Sequence, residues 1–140
     1  MNIGFAFCGS FCTYQQVFPI LECLSASHSV IPIFSTASAE TDSRFGQAKD
    51  FLTRAERICG RKALTTLEEV EPIGPKKLLD LLVIAPCTGN TLAKLAHSIA
   101  DGPVTMAAKS HLRNARPVLL AVSTNDALAG AAENIGKLLG

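Results

Sequence analysis

The sequence predicts an α/β domain on a mostly parallel sheet. Three observations carry this. Four short apolar runs alternate with segments of helix length. One of them, Leu81–Ala85, shows no polar alternation, which fits a parallel strand covered on both faces. Each run then stops at a cluster of small polar residues that reads as a loop.

The elements follow in order. Ile3–Cys8 is the first strand, ended by Gly9-Ser10, and a helix is expected from about Cys12 to Ala26. Val30–Phe34 is the second strand, closed by Ser35-Thr36-Ala37-Ser38. Pro32 within it favours an edge position, because proline has no N–H to give a ladder. Arg44–Ile58 reads as an amphipathic helix, since Phe45, Ala48, Phe51, Leu52 and Ala55 recur at three- and four-residue steps. Gly60 is a good stop for it. Leu81–Ala85 is the third strand, ended by Pro86 to Asn90. A helix over Thr91–Ala100 follows, with Leu92, Leu95, Ala96 and Ile99 on one face, and another over Pro103–Leu112. Val118–Val122 is the fourth strand, and a last helical segment spans about Ala127–Leu139. No repeat or linker interrupts the order, so residues 1–140 read as a single domain.

Composition limits the function. Of 140 residues, 48% are hydrophobic and 18% charged, with a formal net charge of +1, which excludes a disordered chain. There is no basic field for nucleic acid. With no Trp and only Tyr14, few aromatic platforms are available for bases. No apolar run reaches the roughly 18–20 residues of a membrane span, and Met1-Asn2-Ile3-Gly4 has no basic flank of a signal peptide. The expectation is a cytoplasmic protein. Five scattered cysteines (Cys8, Cys12, Cys23, Cys59, Cys87) form no CxxC pair, so they read as reduced thiols and no metal site is expected.

Parallel sheets bind ligands beyond the carboxyl ends of their strands. Those ends carry Gly9-Ser10, Ser35-Thr36, Pro86 to Asn90 and Ser123 to Asn125, all small and free of Lys, Arg and His. Hydroxyls, amides and backbone N–H groups at helix starts suit a phosphate monoester, although Ser10 alone reads equally well as a plain N-cap. The first turn is not GxGxxG and no GxxxxGK[ST] occurs, which disfavours dinucleotide and triphosphate sites. GxSxG and HExxH are absent. His28, His97 and His111 fall away from the strand ends and read as surface or capping residues. Cys87 is the only nucleophile candidate in a strand-end loop, and no His is assigned beside it. No catalytic residue is identified. From residues alone, the reading ends at an uncharged polar ligand crevice.

Together the four loops resemble the flavoprotein family of homo-oligomeric, FMN-binding cysteine decarboxylases. Val83 to Thr91 is similar to its strand followed by Pro-Ala-Ser-Ala-Asn-Thr, and Cys8 to Tyr14 to its Thr-Gly-Ser-Ile-Ala-Ala-Tyr phosphate turn. Further pieces resemble the branch of that family formed by the B-subunits of dipicolinate synthases: Thr41-x-x-Arg44-Phe45-Gly46, Glu71 to Lys76, Met106 to Lys109, and Ala121 to Leu128. The resemblance runs in register from Ile3 to about Leu139. It implies a three-layer, doubly wound, Rossmann-like fold with FMN at the strand ends. By position, Gly9, Ser10, Ser35 and Thr36 would hold the phosphate and ribityl side, and Thr88, Asn90, Ser123, Thr124 and Asn125 would line the flavin. It also implies a homo-oligomer and a partner A-subunit that brings NADP. Together they would oxidise a dihydrodipicolinate-level intermediate of the lysine pathway in the mother cell of a sporulating bacterium. Arg44 and Lys109 are candidates for the carboxylates of that small dicarboxylate substrate.

Departures from the family pattern bear on the chemistry. Glu71-Pro72 stands where the decarboxylases carry a catalytic His, and their Pro-Ala-Met-Asn reads Val122-Ser123-Thr124-Asn125. The prenyl-flavin branch is matched by Arg116 to Leu120, but its Arg-Glu-Thr-Pro is replaced by Ser-Thr-Asn-Asp. A flavin prenyltransferase or decarboxylase is therefore the weaker alternative. A non-catalytic FMN-binding or assembly subunit is the stronger one, because the strand ends show no acid or base. The family pattern has a further strand and helix after a segment like Ala127–Leu139, so a C-terminally short sheet is expected here.

Overall fold

A computed structural model describes residues 1–140. Its four strands are β1 (Asn2–Phe7), β2 (Ser29–Phe34), β3 (Leu81–Thr88) and β4 (Val118–Ser123). They form one sheet in the order β2-β1-β3-β4, with every pair parallel. The chain winds outward from β1 in both directions, which leaves a crevice between the ends of β1 and β3.

Helices cover both faces. The longer ones are α1 (Tyr14–Ser27), α3 (Ala48–Cys59), α5 (Gly89–Ala96), α6 (Pro103–Arg113) and α7 (Gly130–Leu139). Two short ones, α2 (Thr36–Glu40) and α4 (Leu67–Val70), complete the set. Alternation along β1 assigns the faces, since successive side chains point oppositely. Phe5 and Phe7 pack with Tyr14, Phe18 and Leu21 of α1 and Ala55 of α3. Ala6 faces the other way, onto a core holding Leu92 of α5, Val104, Ala107 and Ala108 of α6, and Ala131 of α7. The first face is aromatic, with the rings of Phe7 and Phe34 stacked at 4.6 Å. The second is built from smaller side chains.

Pro32 lies on an edge strand, as its chemistry requires. The N–H of Phe34 points outward to the carbonyl of Leu64, at 2.9 Å. Pro32, two residues earlier, faces the same way, so its missing donor is on the outer side and the ladder to β1 is intact.

Three expected boundaries move. The second helix starts at Ala48, not Arg44, because Ser43 and Gly46 close a tight bridge and Gly46 takes φ +149°. Phe45 is consequently left outside the helix and exposed. β3 continues through Pro86 to Thr88, with a register shift between Ile84 and Cys87 where proline cannot donate. α5 ends at Ala96 and Ser98 takes φ +58°, so Ile99 points outward. Gly60 terminates α3 in the left-handed region at φ +69°, as expected.

His111 departs from its surface reading. It is 2% exposed on α6, and its Nε2 has no hydrogen-bond partner. The stretch after it is also structural: Arg116 Nη1 donates to the carbonyl of Leu79 at 2.6 Å, and Asn114 Nδ2 donates to that of Gly74 at 3.1 Å.

Candidate ligand site at the strand ends

The turn after β1 is opened by Gly9. A Cβ placed there would meet Ala37 only at 3.7 Å, so backbone is exposed toward the cavity. Ser10 makes no side-chain cap, and its carbonyl accepts from the N–H and hydroxyl of Thr13 at 3.1 and 2.8 Å. Tyr14 fixes the turn from below by donating its hydroxyl to the carbonyl of Cys8, at 2.7 Å.

After β2, Ser35 caps α2 by accepting from the Ser38 N–H at 3.1 Å. Ser38 in turn donates to the carbonyl of Phe7 at 2.9 Å, which binds this loop to β1. After β3, Thr88 caps α5 by accepting from the Thr91 N–H at 3.1 Å. The Thr91 hydroxyl lies 3.3 Å from the Cys8 sulfur, so the β1 and β3 loops are tied together. After β4, Thr124 donates to the carboxylate of Asp126. Capping thus uses the hydroxyls of Ser35 and Thr88, while Ser10, Thr36 and Asn90 are not used by it.

Two adjoining cavities result. The first, of about 440 Å³, is lined by Gly9, Ser35, Thr36, Thr88 and Asn90. The second, of about 580 Å³, is lined by Ser10, Thr88, Asn90, Ser123, Thr124 and Asn125. All nine residues expected from the sequence therefore border one cavity or the other, and Thr88 and Asn90 border both. The N-cap residues of α5 and α6, Thr88 and Gly102, line the first cavity, where two helix dipoles favour an anion.

Among the lining residues not expected, four carry ionisable side chains. Lys94 and Asp101 border the first cavity, with the Lys94 ammonium 3.1 Å from both carboxylate oxygens of Asp101. Cys12 and Asp126 border the second. The signal for Lys94 was its spacing, one helical turn beyond Asn90 on the same face. Asp101 carries no comparable signal, because the turn after α5 brings it in.

The remaining candidates lie elsewhere. Cys87 is fully buried, lines neither cavity, and burial together with the neighbouring Cys8 pushes its thiol up to about 12. That removes it as a nucleophile at neutral pH. Burial raises Cys8 as well, partly offset by the Thr91 hydroxyl. Lys109 borders a separate depression with Leu95, Ile99 and Leu112. Arg44 lies over the ring of Phe45, at 4.9 Å.

The donor set fits a flavin mononucleotide. An open glycine turn, free hydroxyls and two helix starts suit a phosphate, and neutral amides and hydroxyls suit a polar ring edge.

Comparison with known proteins agrees. The profile of the Flavoprotein family matches residues 1–133. The chain is 44% identical over 139 residues to the dipicolinate synthase B-subunit of Bacillus subtilis (strain 168), covering 99% of this chain and 70% of that protein. Its fold matches the crystal structure of the dipicolinate synthase B-subunit from Bacillus halodurans C with a TM-score of 0.87 at 38% identity, over 99% of this chain and 72% of that one. A dodecameric FMN-dependent Ubix-like decarboxylase from Escherichia coli O157:H7 shares the fold at a TM-score of 0.79 and 19% identity, over 99% and 75% of the two chains. The chain thus belongs to the Flavoprotein family, among its members similar to the B-subunit of dipicolinate synthase.

Proposed function

We propose that this chain is the FMN-binding subunit of a dipicolinate synthase, and that it works as a homo-oligomer with an A-subunit carrying NADP. The observation that carries the reading is the pair of adjoining cavities at the strand ends, one suited to an anion and one to a neutral polar ring. The similarity to the dipicolinate synthase B-subunit supports the choice of reaction. That reaction removes two electrons and two protons from a dihydrodipicolinate-level ring and leaves the aromatic pyridine dicarboxylate. FMN, when bound, supplies a two-electron acceptor.

The chain's own residues do the rest. The Gly9 turn, Ser10, Ser35 and Thr36 would hold the phosphate and ribityl side, beside the Lys94–Asp101 ion pair. Thr88, Asn90, Ser123, Thr124 and Asn125 fix the ring edge. Asp126, held by Thr124, is the carboxylate closest to that edge in sequence and borders the same cavity, so its oxygen can take a proton. The setting is the mother-cell cytoplasm. No helix of the chain is long and apolar enough to cross a membrane.

One observation favours the second reading, an FMN-binding or assembly subunit without chemistry of its own. Neither cavity contains a histidine, and the lysine in the first is already paired with Asp101. An absorption spectrum during FMN titration tests the cofactor. Micromolar binding is expected, weakened at least tenfold in Asn90→Ala. Absence of binding at high FMN would remove the cofactor reading. Bleaching of the bound flavin by substrate, with the A-subunit present, would separate the redox role from the assembly role.

A further inference from the structure

A third cavity adjoins the second through a shared residue. It has a volume of about 190 Å³ and is walled by Phe11, Tyr14, Phe45 and Phe51, with Cys12 and Arg54 at its border. Cys12 also lines the cavity at the strand ends, so it forms a wall common to both. No acidic residue lines this pocket.

Its charges are arranged around the rings. Arg54 lies 4.4 Å over Phe18 and touches Glu22 only at 3.7 Å across solvent, a contact that holds a guanidinium weakly. Arg44, over Phe45, is in no ion pair. The nearest acid in sequence, Asp42, is occupied in accepting from the Ala48 N–H at 2.9 Å. Phe45 is 48% exposed, so one face of its ring is open to a ligand while Arg44 lies 4.9 Å from its centre. Drug-sized ligands take roughly 300–1,000 Å³, so this pocket admits a single ring. Aromatic walls select a flat ring, and planar guanidiniums select carboxylates through paired N–H donors.

We infer that the Phe11–Phe45–Phe51 pocket, with Arg54 on its border and Arg44 stacked on Phe45 beside it, binds a single-ring heterocyclic dicarboxylate next to the strand-end crevice, with Cys12 between the two. The substrate class rests on the function proposed above, and the pocket itself on its own geometry. Phe45 and Arg44 are therefore positioned by the Ser43–Gly46 bridge, which keeps them off α3.

The test is calorimetric titration of the full chain with pyridine-2,6-dicarboxylate and with pyridine-2-carboxylate. The dicarboxylate is expected to bind at least tenfold more tightly than the monocarboxylate. Arg54→Gln and Arg44→Gln should each reduce dicarboxylate affinity about tenfold and narrow that preference, while Lys62→Gln, at an exposed site, leaves both unchanged. Unaltered affinity in the Arg44→Gln/Arg54→Gln double variant overturns the assignment, as does absence of binding to the parent chain at millimolar ligand. FMN titration of the same samples keeps the two readings apart. Dicarboxylate binding without FMN binding would leave this site standing and remove the flavin; FMN binding without dicarboxylate binding would remove this site alone.

Discussion

His111 shows what one buried side chain does to the whole stability curve. Burial lowers its pKa, the nearby Arg116 adds to this, and the Pro117 backbone and Asp80 oppose it. The native state therefore holds the ring neutral, while the unfolded chain takes a proton below about pH 6.5. Stability from this group is complete above that value and is lost as pH falls toward the lowered native value, by at most about 1.4 kcal/mol per pH unit. Urea midpoints are expected to drop between pH 7.5 and pH 5 in the parent chain, and to drop less in His111→Leu. Equal slopes would show that other groups govern acid sensitivity. At this scale, the candidate site was legible wherever a residue sits in a strand-end loop. Lys94 carried only a spacing signal and Asp101 none, because a helix face and the turn after it deliver them. The burial of His111 was not legible either, since its α6 face is fixed by packing rather than by its apolar spacing.

Among the elements, the glycine stop of α3 read correctly, whereas the start of α3 and the ends of α5 and β3 did not. Gly60 ends α3 with φ +69° and open space around its Cα. Gly60→Ala therefore meets no neighbour but forces an L side chain into the left-handed region, at a cost of about 1 kcal/mol. Thr66 caps α4 by accepting from the Glu69 N–H at 3.2 Å, and Glu69 accepts from the Thr65 N–H at 3.0 Å. Thr66→Ala should likewise cost about 1 kcal/mol in chemical denaturation, and a null result would show α4 held by Val70 packing alone. The start of α3 was misread because Phe45 fits the helical spacing. A local bridge at Ser43 and Gly46 outcompetes that spacing, and a Cβ at Gly46 would come within 2.8 Å of the Phe51 ring. β3 ran longer than expected because its pairing with β4 resumes at Cys87 and Thr88 beyond the proline.

For the molecule as a whole, parallel pairing followed from alternation of apolar runs and helices, while the order β2-β1-β3-β4, and the two-faced core built on it, came from the structure. The thiols report on it. Cys12 and Cys23 are exposed, Cys59 is intermediate, and Cys8 and Cys87 are buried. A thiol reagent should label two cysteines quickly in the native state, a third slowly, and the last two only with global unfolding. Fast labelling of four or more would show that the β1–β3 crevice opens without unfolding. Bound FMN should slow Cys12 and leave Cys23 unaffected, because only Cys12 borders the crevice.

The chain has a single tyrosine and no tryptophan, and that tyrosine is buried beneath the β1 turn among Phe7, Phe11, Phe18 and Phe51. Excited at wavelengths too long for phenylalanine to absorb, the chain therefore emits from one fixed point of the fold. Energy absorbed at Tyr14 would pass to a flavin seated above it, so the protein's own light dims as the crevice fills and returns when it empties.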